Sequence, residues 1–181
     1  MNQDIYVVIE HLQGQIADIS YIALAAARDL AQETGGQVVG VLLGHNVQEL
    51  ANTLAADKIL YTDHPALAEF TADTYQKTVA SLIGENEPRA VLFGNTTIGA
   101  DVASVLSARL SLPLVSSLVH IDEGKITSQI CGGKIMAENE LAETTTLVTV
   151  IPGGYKVEQG QSEKSPEITL FEAPALDDLR I

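Results

Sequence analysis

Short apolar runs alternate with longer amphipathic stretches along the first 110 residues of the chain. Four of these runs predict strands buried on both faces, at residues 5–9, 38–43, 58–61 and 90–93. From Asp18 to Thr34, apolar residues recur at three- and four-residue spacing and Gly35 follows, which predicts a helix that ends there. Because strands alternate with helices, we expect an α/β fold of three layers, with a mostly parallel sheet between helices.

Three more helices are predicted between or after the strands, at residues 46–56, 64–84 and 98–110. Asn46 is a suitable N-cap for the first of them, and Pro65 suits the first turn of the second. The connections that remain between strands and helices are short, as βα units require.

The pattern changes after Pro113. Two extended runs, at residues 115–121 and 125–131, are joined by Asp122-Glu123-Gly124, which predicts a β-hairpin. An alternation of Thr with Leu and Val predicts a further strand at residues 144–151.

The residues after Tyr155 are expected to form a separate and looser segment. Residues 156–166 are polar, and residues 168–171 offer one edge strand before an acidic tail at Asp177-Asp178. We therefore divide the chain into a domain of residues 1–155 and a polar C-terminal extension of residues 156–181.

Charge and composition narrow the classes of function. The chain has 24 acidic and 10 basic residues, a net charge of −14 and a pI near 4.4. Nucleic-acid phosphates and anionic lipid headgroups need a positive surface, so neither is an expected partner, whereas a basic protein surface is. The N-terminus lacks the basic region of a signal peptide and no apolar run reaches the roughly 18 residues of a membrane helix, so we expect a cytoplasmic protein without membrane insertion.

The residues that most often carry catalysis or bind metals form no recognisable motif. The single cysteine, Cys131, excludes an internal disulfide, and its place in a β-rich run predicts a small buried side chain. The histidines are scattered without i, i+4 pairing, which argues against a metal site. No nucleophile–base motif is present, so a binding protein is expected more than an enzyme.

The candidate ligand site lies where the strand order of the sheet reverses, outside the carboxyl ends of the strands. We expect the first and fourth strands to be neighbours there, which brings the end of the first strand close to the turn after residue 93. Glycines in that turn allow a ligand to approach closely, and the next helix offers free amides to a phosphate. The candidate cofactor-binding residues are Glu10, Gly44, Gly94, Asn95, Thr96, Thr97, Gly99 and Asp101.

Two of these features also have a purely structural interpretation that involves no ligand. The turn can be a plain strand-to-helix connection in which Thr97 only caps the helix. His45, which follows Gly44 at the end of the second strand, can meet a ligand ribose or base, or can simply be a solvated loop residue.

Three segments match the motifs of a known family. The strand and turn at residues 91–101 are similar to a G-x-T-x-x-G-R-D-like turn, and residues 131–137 are similar to an aromatic-A-G-N-x-x-A segment. Residues 148–155 are similar to a T-V-R-P-G-x-F segment. Together these segments resemble the N-terminal domain of the electron transfer flavoprotein alpha subunit, over roughly residues 4 to 155.

The chain departs from that family pattern at three arginines. Ala100, Ile151 and Ser128-Gln129 stand where the family motifs have Arg. Arginines are fixed multidentate donors, so their loss removes groups that would hold a partner domain or an anion.

The resemblance implies an adenine nucleotide alpha hydrolase-like, Rossmann-like fold and a role in electron transfer between acyl-CoA-type dehydrogenases and a quinone reductase. It implies FAD as the family cofactor, but the family's FAD-binding domain would begin where this sequence ends, so no FAD ligand is expected in these residues. The related beta subunit holds AMP, which makes AMP a second candidate ligand.

Two hypotheses follow from the resemblance. In the first, the chain is a docking or scaffold subunit that binds a flavin-bearing partner: an electron transfer flavoprotein beta-like subunit, a second copy of itself, or a flavin dehydrogenase. In the second, it is a small protein that binds or senses AMP or ATP through residues 94–101 and the end of the first strand.

Overall fold

A computed structural model of the chain describes residues 2–176, which excludes the acidic tail at Asp177-Asp178. Within these residues the chain forms three α-helices, which are α1 (Asp18–Thr34), α2 (Ala72–Asn86) and α3 (Thr97–Leu110). The strands are β1 (Ile5–Ile9), β2 (His11–Leu12), β3 (Gln15–Ile16), β4 (Val38–Gly44), β5 (Lys58–Asp63), β6 (Ala90–Gly94), β7 (Leu114–Asp122), β8 (Lys125–Ile130), β9 (Ile135–Asn139), β10 (Thr146–Val150) and β11 (Glu167–Leu170).

Nine of these strands form one sheet in the order β11-β5-β4-β1-β6-β10-β7-β8-β9. The pairs from β11 to β7 are all parallel, and the pairs β7–β8 and β8–β9 are antiparallel. The mostly parallel sheet of an α/β fold is therefore confirmed. The strand order reverses at β1, which lies between β4 and β6, as expected from the sequence.

Helices cover both faces of the sheet, so the molecule has three layers. Along β1, Ile5, Val7 and Ile9 pack into a core with α1, whereas Tyr6 and Val8 pack into a second core with α2 and α3. All five residues of β1 are buried, which explains why the strand reads as an unbroken apolar run.

Two of the predicted helices are wrong in form. Residues 46–56 contain only a 3-10 helix at Gln48–Thr53. Asn46 does not cap it, because its backbone is left-handed (φ 56°) and its N–H donates to the Asp63 carboxylate at 3.1 Å.

The predicted helix at residues 64–84 is two elements. A 3-10 turn at Pro65–Leu67 starts where the His64 side chain accepts a hydrogen bond from the Ala66 N–H. The backbone is extended again at Thr71 (φ −129°), after which α2 begins.

The predicted hairpin after Pro113 is present, and a second hairpin that the sequence reading missed follows it. Glu123 and Gly124 both have positive φ, which suits the two-residue turn between β7 and β8. Residues 131–134 then turn β8 back into β9, the outermost strand of the sheet. Cys131 lies in this turn with a φ of 52° and is exposed, so the prediction of a buried cysteine is wrong.

The segment after Tyr155 is packed rather than loose. A 3-10 helix at Val157–Gly160 lies against α1, and Gly160 comes so close to the Tyr21 backbone that a Cβ would clash with it. The Ala55 N–H donates to the Gly160 carbonyl at 2.9 Å, and β11 extends the sheet beside β5. The division of the chain at residue 155 remains a prediction.

Candidate functional site

The crevice at the strand reversal is occupied by a carboxylate of the chain itself. Glu10 directly follows β1, and only 8% of this residue is exposed to solvent. Both oxygens of its carboxylate lie 2.9 Å from Thr96 Oγ1, which donates to them from the turn after β6. The backbone of Glu10 is also fixed, because its N–H donates to Ser20 Oγ at 2.8 Å and the Ser20 hydroxyl donates back to its carbonyl at 3.1 Å.

Two glycines make room for this carboxylate. A Cβ on Gly94 would lie 2.7 Å from Glu10 Oε1, and a Cβ on Gly99 would lie 2.8 Å from the same atom. The Gly99 Cβ would also clash with the Gly94 carbonyl oxygen, which is backbone and cannot rotate away. Close packing between the Gly94–Gly99 turn and Glu10 therefore requires glycine at both positions.

Thr96 links the carboxylate to the start of α3. Its hydroxyl donates to Glu10 and accepts a hydrogen bond from the Gly99 N–H at 3.0 Å, so Thr96 is the N-cap of α3. The alternative in which Thr97 caps the helix is wrong, because Thr97 is already the first helical residue and is exposed.

Burial sets the protonation chemistry of the crevice. Desolvation raises the pKa of Glu10, and the hydrogen bond from Thr96 offsets this only in part. Burial, followed by the nearby charge of Glu10, raises the pKa of Tyr75 to about 12, so this tyrosine stays neutral and its hydroxyl donates to the Leu43 carbonyl at 3.3 Å.

These residues do not fit a bound phosphate. A phosphate at the N-terminus of α3 would approach the Glu10 carboxylate, and two anions in a partly desolvated crevice repel each other. The crevice therefore fits neither the phosphate of AMP nor the pyrophosphate of FAD in the arrangement described.

The structure brings together only part of the predicted residue set. Gly44 lies next to the His11 ring, where a Cβ would come 3.2 Å from His11 Nε2. Asn95 is exposed and its amide donates to Ser117 Oγ on β7 at 3.3 Å. Asp101 lies on the exposed side of α3, 3.5 Å from the Gln76 amide of α2.

His45 forms a polar cluster at the ends of β4 and β5. Its Nδ1 lies 2.9 Å from the Asp63 carboxylate, and its Nε2 lies 2.9 Å from the Asn46 amide. Both ring nitrogens therefore have partners in the chain. In the part of the chain that the structure describes, no group of three or more His, Cys, Asp or Glu residues is placed to hold a metal ion.

The second notable surface is the arm, which we define as β8, β9 and the turn between them (residues 125–139). All seven residues at its tip, residues 130–136, are exposed. Ile130, Ile135 and Met136 are 39%, 49% and 52% exposed. The sequence reading missed this surface because it ended the pattern at Cys131; the Gly-Gly pair followed by apolar residues was the available signal of a second hairpin.

The fold is that of a Rossmann-like α/β domain, and the Glu10 side chain lies buried in the crevice at its strand reversal. A family model described as "Electron transfer flavoprotein domain" matches residues 5–176. The chain belongs to the electron transfer flavoprotein domain family.

Individual relatives are consistent with this membership. The electron transfer flavoprotein subunit alpha of Bacillus subtilis (strain 168) is 30% identical over 99% of this chain and 57% of its own length. The corresponding subunit alpha of Clostridium acetobutylicum is 32% identical over 84% of this chain and 48% of its own length. The acryloyl-CoA reductase electron transfer subunit beta of Anaerotignum propionicum is 37% identical over 66% of this chain and 34% of its own length.

The chain thus spans between about a third and somewhat over half of these relatives. The resemblance to the alpha subunit that the motifs indicated is confirmed. Among residues 2–176, no helix is both long enough and apolar enough to cross a membrane.

Proposed function

We propose that the chain is a docking subunit of an electron transfer flavoprotein and that its arm binds a flavin-bearing, beta-like subunit. The observation that carries the proposal is the exposed apolar tip of the arm. Family membership and the relatives' names support electron transfer as the process in which the complex takes part.

The tip has the character of a surface that becomes buried on association. It connects the paired strands β8 and β9, yet the structure places no atom within 4 Å of the Cβ position of Gly132 beyond its chain neighbours. Burying apolar surface contributes about 25 cal/mol per Å², and Ile130, Ile135 and Met136 offer three large side chains within seven residues.

The charge along the arm supports the same conclusion. Although the whole chain has a net charge of −14, the arm has two lysines, Lys125 and Lys134, and one acidic residue, Glu138, which lies 3.6 Å from Lys125. The exposed tip, residues 130–136, contains Lys134 and no acidic residue. Interface cores are depleted of carboxylates, and the tip fits this pattern.

The direction of the arm determines which side the partner covers. β9 leads from the tip down to Leu141, whose carbonyl accepts a hydrogen bond at 3.2 Å from Arg89, the residue before β6. The tip therefore points away from the amino-terminal edge of the sheet. A partner bound to it would lie on the side where the carboxyl ends of the strands open.

We further propose that the flavin is held by the partner rather than in the crevice of this chain. The Glu10 carboxylate, buried at the N-terminus of α3, supports this because it opposes a pyrophosphate at that position. The hypothesis of an adenine-nucleotide sensor lacks a supporting observation of this kind.

Mixing the chain with a flavin-loaded beta-like subunit from the same organism tests the docking proposal. Size-exclusion chromatography monitored by flavin absorbance should show a complex, and titration should give its Kd. We expect the double substitution Ile135→Ser and Met136→Ser to weaken binding at least about tenfold.

Leu170→Ser is the matched control, because Leu170 is 71% exposed at the opposite edge of the sheet. It should leave the Kd within about twofold. An absence of complex, an equal loss in both variants, or tip variants that disrupt only a homodimer would refute the proposed partner. Calorimetry that detects FAD binding to the isolated chain would refute the assignment of the flavin to the partner, whereas binding of AMP or ATP would support the nucleotide-sensor hypothesis instead.

A further inference from the structure

A second open surface lies at the opposite, amino-terminal edge of the sheet. A pocket of about 360 Å³ opens where α2 and α3 end, beside Thr144 and Thr145, which immediately precede β10. Apolar side chains from both helices and the following loop form its walls, among them Ile83, Leu110 and Leu112. Leu110 is 37% exposed, so part of this apolar surface faces solvent.

One of the residues that line the pocket is a helical glycine. Gly84 lies in the last turn of α2 and lines the pocket. Neither a close contact nor a positive φ requires glycine there, since its Cβ position has nothing within 4 Å. A glycine inside a helix lowers the free energy of unfolding by about 1 kcal/mol relative to alanine. Gly84 therefore makes the helix less stable than alanine would, and its missing side chain leaves space on the wall of the pocket.

The electrostatics of the pocket favour a positive charge. α2 and α3 both end at it, and the aligned peptide dipoles of a helix place a partial negative charge at its C-terminus. Glu143 is exposed on its wall, and none of the described residues that line the pocket is a lysine or an arginine. An apolar stem and a cationic head would each find a complementary surface here.

We propose that this pocket receives a lysine or arginine side chain from a protein partner. The methylene stem packs against Ile83, Leu110 and Leu112, with the cationic group at Glu143 and the two helix ends. The pocket opens at the amino-terminal edge of the sheet, and the tip of the arm points away from that edge. The inference is therefore independent of the docking proposed for the arm, and it gives the chain a second surface for a basic partner.

Three small compounds that differ in stem or charge test this inference when each is titrated into the ¹⁵N-labelled protein and the amide signals are followed in ¹H–¹⁵N NMR spectra. Nα-acetyl-lysine N-methylamide has the stem and the charge, the norleucine analogue has only the stem, and putrescine is a free cation. We expect the lysine compound to shift the amide signals of Ile83, Leu110 and Thr144, and to bind about fivefold more tightly than the norleucine analogue.

Two variants assign the binding to the pocket. Glu143→Gln should remove the preference for lysine over norleucine, whereas Glu138→Gln, which removes an exposed carboxylate on the arm, should keep it. Gly84→Leu should fill the space and weaken both compounds about tenfold.

Several outcomes would overturn the inference. They are an absence of shifts at these amides, equal affinity for lysine and norleucine, an unchanged preference in Glu143→Gln, and putrescine binding as tightly as the lysine compound. The last would mean that a free diamine, and not a protein side chain, fits the pocket.

Discussion

Glycines line both the crevice at the strand reversal and the pocket at the amino-terminal edge of the sheet, but the crevice is filled and the pocket is open. At the carboxyl ends, Gly94 and Gly99 have no room for a Cβ, because the Glu10 carboxylate and backbone atoms fill the crevice. At the amino ends, Gly84 has free space beside it and a pocket remains open. At the strand reversal, the position that ligands usually occupy in such folds, Glu10 and the turn at residues 94–99 are therefore in close contact.

The largest effect is expected from adding a methyl group in the closed crevice. Gly99→Ala would drive a Cβ into the Gly94 carbonyl oxygen and against Glu10, and we expect it to lower the free energy of unfolding by about 3 kcal/mol. Urea denaturation followed by circular dichroism measures this change. A loss below about 1 kcal/mol would show that the turn adjusts and that the crevice is not tightly packed.

The next largest effect is expected at the residue that joins the crevice to α3. Thr96→Val removes the N-cap of α3 and the hydroxyl donor to the buried Glu10, so the free energy of unfolding should fall by about 2 kcal/mol. Thr97→Val is the matched control, because Thr97 is the next residue and is exposed. Equal losses in the two variants would contradict the assignment of the cap to Thr96.

Removing the charge from the crevice should change how stability depends on pH. Because the pKa of Glu10 is raised in the folded state, ionisation costs the fold stability as pH rises above the unfolded value near 4.5, and this cost disappears below that value. Glu10→Gln should therefore stabilise the protein at pH 7 and have little effect at pH 4.

Thermal unfolding of this variant across pH 4 to 8 tests the sign of the effect. Glu138→Gln, at an exposed carboxylate, is the control and should leave the pH profile unchanged. If Glu10→Gln destabilised the protein equally at all pH values, the hydrogen bonds of the carboxylate would outweigh the cost of its burial.

The smallest effect is expected at the open pocket. Gly84→Ala places a methyl group into free space in a helix and should stabilise the protein by about 0.5–1 kcal/mol, measured by the same urea denaturation. If Gly84→Ala instead lowered the free energy of unfolding, the fold would require glycine at this position. The contrast with Gly94 and Gly99 would then be lost.

How far the sequence predicted the structure differs from element to element. The bounds of β1 and α1 follow from local patterns, because each element buries the face that its periodicity marks. The two-part structure of residues 64–86 was missed, because the break depends on a return of Thr71 to extended backbone that the hydrophobic pattern does not mark. β9 was missed because its exposed residues have no burial pattern to read.

The sequence predicted that Glu10 and the turn at residues 94–99 meet, but not how they pack, and ligand binding there stays a prediction. Topology alone indicated that Glu10 and the turn at residues 94–99 would meet, because the strand order reverses between them. The Glu10 carboxylate is held in the crevice by a hydrogen bond from Thr96, which lies 86 positions away in the sequence. The buried Ser20 hydroxyl fixes the Glu10 backbone by accepting a hydrogen bond from its N–H. Side-chain packing over such separations leaves no mark on the sequence pattern.

The place of β10 in the sheet has a consequence for how the protein is made. β10 lies between β6 and β7, yet it is synthesised after β7, β8 and β9. During synthesis, about fifty residues are added after β6 before β10, its neighbour in the sheet, is made. At typical elongation rates this takes seconds. During that interval β6 can pair with β1 on one side only, so the nascent chain exposes an apolar strand edge of the kind that is prone to aggregation.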